Sequence, residues 1–326
     1  MNFLQNKNIL VTGAGGLVGI NALSRLKDVP GLKVKAVYRN SQPKVFSDNI
    51  SYVKMDLRDC ESSKSAVKGM DYILMFAANI SRRNSDLSYL LSDLEINFQV
   101  LNAAHAAGVK KVVWLSSATA YSPSEIPLKE EQMYSADPAD VYFGLGWTTR
   151  YIETLFRMYA TKLNHSLEAV VLRSTAIYGE HDDFNLSTCH VLAALIGKVA
   201  QRQSPIEIWG TGQTRRDFIY VGDVVDACIL ALEKASGFAV FNIGSGKTYS
   251  VKELLEMVLA ADNYSQAKII YDKSKPAKFP NIALDCGKAK ETIGFLSGTS
   301  IEDGIAKTIK WYRNNLLAEG KAKCSP

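Results

Sequence analysis

The stretch Val11-Thr12-Gly13-Ala14-Gly15-Gly16-Leu17-Val18-Gly19 constrains the fold more than any other. It follows the apolar run Ile9-Leu10-Val11 and opens the helix-like segment Ile20-Asn21-Ala22-Leu23-Ser24-Arg25-Leu26, so the glycines fall where a buried strand turns into a helix. Gly13 suits the tight turn, Gly16 a close approach of backbone to a pyrophosphate, and Gly19 close packing of the helix on the sheet. Phosphates in such a place are held by the first N–H groups of the helix, which have no partner within it. The expectation is an α/β protein with a doubly wound parallel sheet and a dinucleotide lying on Gly13, Gly16, Leu17, Val18 and Gly19. A glycine-rich turn without a ligand is the competing reading.

The next strand, Leu32 to Arg39, ends in Tyr38-Arg39-Asn40. In dinucleotide folds an acid at this place accepts the adenosine ribose hydroxyls, and a basic residue accommodates a 2′-phosphate. Arg39 without an acid favours NADP(H), and NAD stays open because an Arg can also stack on the adenine. A third strand leads to Met55-Asp56-Leu57-Arg58-Asp59, and a fourth, Tyr72 to Phe76, ends in Ala77-Ala78-Asn79. Small side chains at Ala77 and Ala78 let the nicotinamide half of a cofactor lie against the backbone.

A chain of 326 residues, 47% hydrophobic and 22% charged, buries a sizeable core in one large or two closely packed domains. No apolar run has the length of a membrane span, and the N-terminus enters a strand without a signal-peptide pattern, so a cytoplasmic location is expected. The five cysteines are scattered, with no Cys-x-x-Cys pair and no histidines at metal-ligand spacing, which argues against a disulfide framework or a metal site. A net charge of +5, spread along the chain, fits an anionic small molecule better than nucleic acid. The Lys-rich end, Gly320 to Pro326, is expected to fray.

The Thr-Gly-x-x-Gly-x-x-Gly spacing resembles that of short-chain dehydrogenases, and motifs in matching order from Thr12 to Asn242 extend the resemblance to their extended branch, the NAD-dependent epimerase/dehydratase family. That resemblance implies a Rossmann-type domain over residues 1–173 plus 217–243. It also implies a smaller, discontinuous α+β substrate domain over 174–216 plus 244–326, and a nucleotide-sugar substrate between the two. It places Asp56 and the Leu57 backbone at the adenine, and matches Ser117, in Ser116-Ser117-Ala118-Thr119-Ala120-Tyr121, to the hydroxyl that binds the reacting sugar oxygen. The helices around Glu95 to Ala104 and Arg150 to Tyr159 correspond to a family dimer contact, so a homodimer is expected.

One region breaks the pattern. These enzymes use Tyr-x-x-x-Lys on the next helix, the Tyr moving a proton and the Lys one turn on assisting it and the nicotinamide ribose. Counting back from Glu153 and Tyr159 places Leu145 and Thr149 at those positions. Tyr142, just upstream, is the nearest phenol, and without a Lys beside it is a slow base at neutral pH.

Further on, His181 to Asn185, Cys189-His190, Trp209-Gly210-Thr211-Gly212 and Arg215-Arg216-Asp217-Phe218 resemble the GDP-L-fucose synthase-like nucleotide-sugar enzymes. By that resemblance His190 is an epimerisation acid, Trp209 lies near the base, Arg216 pairs with the diphosphate, and Asn185 contacts substrate. Thr119, expected to contact substrate, replaces a cysteine of the second epimerisation step, and Ala176 replaces an asparagine. The bland readings are a helix-capping His190, a buried Trp209 and an Arg216 paired with Asp217. Two functions follow: a nucleotide-sugar oxidoreductase or epimerase with an atypical acid/base site, or a catalytically degenerate protein that binds cofactor or sugar nucleotide as a regulatory or partner subunit.

Overall fold

Ile9, Leu10 and Val11 are fully buried and form the centre of β1 (Asn8–Thr12) in a computed structural model of the chain, which describes residues 1–78, 87–164, 167–275 and 281–318. The chain continues through α1 (Leu17–Leu26), β2 (Lys33–Tyr38), β3 (Ile50–Lys54), α2 (Cys60–Val67), β4 (Tyr72–Met75), α3 (Ser88–Ala106), β5 (Lys111–Ser117), α4 (Phe143–Thr161) and β6 (Glu168–Ser174). It then leaves for β7 (Ala176–Tyr178), α5 (Val191–Ala200), β8 (Ile206–Trp209) and β9 (Arg215–Tyr220). It returns through α6 (Val221–Lys234) and β10 (Phe238–Ile243), and ends with β11 (Thr248–Ser250), α7 (Val251–Ala261), β12 (Ile269–Asp272), α8 (Gly287–Ile293) and α9 (Ile301–Tyr312). Asn79 and the tail from Gly320 lie outside the described residues.

Seven strands form one parallel sheet in the order β10-β6-β5-β4-β1-β2-β3. Strands buried on both faces read as continuous apolar runs, as Val112-Val113-Trp114 and Val170-Val171-Leu172 do. One face is covered by α1, α6 and α8, with Leu23, Leu26, Val224 and Ala289 in a common core. The other is covered by α2, α3 and α4, with Val67, Val100 and Phe156 in a second core. The connection reverses direction between β1 and β4, which opens a crevice at the carboxyl ends of these strands, the usual ligand position in open α/β sheets.

A third core, with Leu192, Ile196, Ile208, Leu255 and Ile305, gathers α5, α7 and α9 around two small sheets. One is β11-β9-β7, with β9 parallel to β7 and antiparallel to β11, and the other is the parallel pair β8-β12. The chain passes between large and small sheets at Thr175, between β9 and α6, and across Gly244 to Lys247. Ser250 caps α7 as its spacing to Glu253 predicts, with Ser250 Oγ accepting from Glu253 N at 3.1 Å and Glu253 Oε2 from Ser250 N at 2.6 Å.

The polar stretch Tyr264 to Asn281 contains β12, because Ile269, Ile270 and Tyr271 pair with Ile206, Glu207 and Ile208. One expectation is corrected. Within the region expected to finish the smaller domain, α8 instead packs on the large sheet, because Ala289, Ile293 and Phe295 are buried in the core beneath α6.

Candidate functional site

The glycine loop runs from the end of β1 into α1 at the reversal point of the large sheet. Gly13 has φ +62°, and a Cβ there would lie 2.7 Å from the Ala77 nitrogen. At Gly19 a Cβ would lie 2.7 Å from the Ala14 Cα, so the helix sits on the turn only with glycine there. Gly16 differs: its nearest neighbour would be the Gly13 carbonyl oxygen at 3.4 Å, an ordinary contact, and the residue is exposed. Nothing in the protein demands glycine at 16, and the space over it is open. Gly16 is also the N-cap of α1, with no side-chain cap and no acid in the first turn. An uncapped helix start over an open glycine fits a pyrophosphate. Leu17 and the buried Val18 begin this turn. Thr12 Oγ1 accepts from both Phe76 N and Ala77 N at 3.1 Å, tying the end of β4 to the glycine loop. Ala77 is half-buried and Ala78 exposed.

At the adenosine end Arg39 is exposed after β2. Asp56 is engaged by Arg58, whose Nε and Nη2 donate to Asp56 Oδ2 at 3.1 and 2.5 Å. That guanidinium is the main cause holding the Asp56 carboxyl down to about 2, with Arg39 adding a smaller pull. At this corner Arg58 and, more weakly, Arg39 act on Asp56, and Glu95 acts on Arg58. The cap of α2 is Asp59, accepting from Ser62 N at 2.7 Å, which leaves Asp56 out of that role. Leu57 is buried.

Ser117 ends β5 on the same carboxyl edge. Its Oγ accepts from Thr119 Oγ1 at 3.0 Å and Thr119 N at 3.2 Å, leaving its own proton to donate elsewhere. The start of α4 closes against this elbow: a Cβ on Gly146 would lie 2.9 Å from the Thr119 carbonyl oxygen. That close approach was not read from the sequence, since it needs two segments far apart in the chain. Tyr142 is the N-cap of α4 and half-buried, Leu145 is half-buried and Thr149 buried. Arg150 is no stand-in for the missing Lys. Its Nε and Nη2 donate to the Ala120 and Ala136 carbonyls at 3.0 and 2.6 Å, and its guanidinium lies over the Trp147 and Tyr134 rings.

A buried network holds this elbow from behind. Arg173 on β6 donates to both Glu153 oxygens at 2.6 and 2.9 Å and to Tyr121 Oη at 2.6 Å, while Tyr121 donates to Asn242 Oδ1 at 2.6 Å. Glu153 served in the sequence only to set the register of α4.

Among the small sheets, Arg216 on β9 is half-buried. Burial holds its guanidinium below the usual range, and the Tyr142 phenol acts in the opposite direction, so the structure brings these two groups into one electrostatic environment. Asp217 is turned away. Its carboxylate accepts from Ser245 N at 3.0 Å, Ser245 Oγ at 2.7 Å and Gly246 N at 3.2 Å, and burial pushes it up to about 6. His190 is the N-cap of α5, but its side chain makes no cap hydrogen bond, and it is exposed. Asn185 lies in the preceding loop, its Oδ1 accepting from Ser187 Oγ at 2.8 Å. Trp209 is 55% exposed, which excludes a core role.

The family model described as "NAD dependent epimerase/dehydratase family" matches residues 9–244. GDP-L-fucose synthase 1 of Arabidopsis thaliana is 27% identical over 328 residues, covering 96% of this chain and 95% of that protein. A dTDP-4-dehydro-6-deoxy-D-allose reductase of a Streptomyces species is 28% identical over 321 residues, covering 94% of this chain and 96% of that protein. Among solved structures, UDP-glucose 4-epimerase of Thermotoga maritima with UDP-glucose is similar, with a TM-score of 0.83, 27% identity, and coverage of 95% and 99% of the two chains.

Proposed function

From the premise that this chain belongs to the NAD-dependent epimerase/dehydratase family, whose members are NAD(P)-dependent nucleotide-sugar epimerases, dehydratases and reductases, we propose that it is an NADP(H)-dependent oxidoreductase or epimerase of a GDP-linked sugar. The observation that carries the reading is the reversal point of the large sheet, where the uncapped start of α1 and the Ser117 hydroxyl open on the same edge. A bound nicotinamide supplies or accepts the hydride. Gly13, Gly16, Leu17, Val18 and Gly19 hold its pyrophosphate, and Ala77 and Ala78 flank its nicotinamide half. Arg39 favours the 2′-phosphate because Asp56, at the adenine with Leu57, is already occupied by Arg58. The motif resemblance and the fucose synthase relative support GDP.

Ser117, polarised by Thr119, donates to the sugar oxygen. Proton transfer falls to His190 or Tyr142, since Leu145 and Thr149 handle no protons. Arg216 takes the diphosphate, where a guanidinium fork matches phosphate oxygens. Asn185 and Trp209 complete the substrate side. A homodimer forms through the exposed apolar residues Leu91 and Phe98 of α3 and Tyr151 and Met158 of α4. The division expected from the sequence stands in this reading, with α8 joined to the cofactor side.

The test is a single-turnover measurement with protein at stoichiometric concentration, following reduced-nicotinamide absorbance with each nicotinamide against GDP-, UDP- and dTDP-sugars and their 4-keto forms. The expected outcome is a change with NADPH and a GDP-4-keto sugar. His190→Asn is expected to abolish solvent-deuterium incorporation at the sugar carbons while leaving cofactor affinity unchanged, and undiminished incorporation removes His190 from the role. Leu145 and Thr149 favour a second reading, a ligand-binding subunit without turnover. Binding of both ligands with no absorbance change and no deuterium incorporation would decide for it.

A further inference from the structure

Trp209 is an unusual residue to leave exposed, because tryptophan is buried on average more than most side chains. Its exposure follows from strand alternation: Ile206 and Ile208 of β8 are buried in the third core, so Glu207 and Trp209 face outward. The ring nevertheless sits on a fixed backbone. Trp209 is the register partner of Asp272, and Gly210 N donates to the Asp272 carbonyl at 2.8 Å. Asp272 in turn ends β12 in a tight turn, its Oδ1 accepting from Ser274 N at 3.0 Å and Ser274 Oγ at 2.6 Å, and its carbonyl from Lys275 N at 3.3 Å. This turn delivers Lys275 over the indole, with Nζ 5.6 Å from the ring centroid. A cation at that distance over tryptophan is attracted by the ring quadrupole.

We propose that Lys275 is a positioning residue for nucleotide recognition. Its ammonium caps one face of Trp209 and steadies the ring, and the opposite face stacks the base of a nucleoside diphosphate. The chemistry of the place matches such a ligand. An exposed aromatic face takes a planar base, and Arg216, on the strand that follows β8, supplies a guanidinium for the phosphates. The inference rests on the nucleotide-sugar reading above and adds to it a residue that the sequence did not single out.

The experiment titrates the protein with GDP, inorganic pyrophosphate and NADPH, reading tryptophan fluorescence and calorimetric affinity for wild type, Trp209→Ala, Lys275→Met and Lys275→Arg. Trp209→Ala is expected to weaken GDP by about tenfold. Lys275→Met is expected to weaken it about two- to fivefold, Lys275→Arg to restore it, and NADPH affinity to stay level in all. Pyrophosphate affinity is expected to be the same in wild type and Lys275→Met. Wild-type GDP affinity in Lys275→Met together with loss in Trp209→Ala would overturn the capping role and leave the base site standing. Equal weakening of GDP and pyrophosphate in Lys275→Met would also overturn it, by making Lys275 a phosphate contact. Wild-type GDP affinity in both variants would remove the base from Trp209 altogether.

Discussion

Gly16 and Gly19 are less than one helical turn apart, yet a methyl group meets opposite conditions at the two. At 19 it strikes the Ala14 backbone, and at 16 it enters open space above the start of α1. Gly19→Ala is therefore expected to destabilise the fold by about 1–3 kcal/mol, as overpacked sites do. Gly16→Ala is expected to cost at most about 1 kcal/mol as a poorer helix cap, and to reduce NADPH affinity at least about tenfold by filling the space of the pyrophosphate. Denaturant midpoints and NADPH titrations on the two variants separate these effects. The turn at Gly13 and the close packing at Gly19 were legible in the sequence because a strand-to-helix turn is a local event. Lys275 over Trp209 and Gly146 against Thr119 were not, since each joins residues that only the folded chain brings together.

Between elements, the Arg173 pair with Glu153 fixes α4 to β6 behind the Ser117 elbow. Both side chains are at most 5% exposed, so neither charge has water to fall back on. Arg173→Met leaves Glu153 buried without its cation and is expected to cost about 3–5 kcal/mol, a large part of the stability of an ordinary domain. Urea unfolding of the variant checks this, and a loss under about 1 kcal/mol would mean that the Glu153 site rehydrates. The parallel strands of the large sheet were legible as continuous apolar runs. β12 was hidden because its four residues lie in polar surroundings and their pairing partner, β8, is remote in sequence. α8 was misplaced because only Ala289 and Ile293 are buried in its seven residues, too short a pattern to say which core receives them.

At the scale of the whole molecule, Leu91, Phe98, Tyr151 and Met158 stay at least 39% exposed on α3 and α4, two helices on one side of the large sheet. A double variant Phe98→Asp with Tyr151→Asp is expected to convert a dimer into a monomer in light scattering, with the thermal midpoint of the monomer lowered through loss of the partner. Wild type eluting as a monomer would remove the homodimer from the proposal. The small sheets, for their part, are not an appendage on a single linker. The chain enters them at Thr175, leaves between β9 and α6, enters again across Gly244 to Lys247, where Asp217 grips the Ser245-Gly246 turn, and crosses twice more to set α8 on the large sheet and α9 in the third core. A protease that nicks one of these passages finds the halves still tied by the others, so limited digestion yields a cut but undivided particle. No single-cut truncation isolates either half, and an engineer who wants one must rejoin the chain ends in a new order.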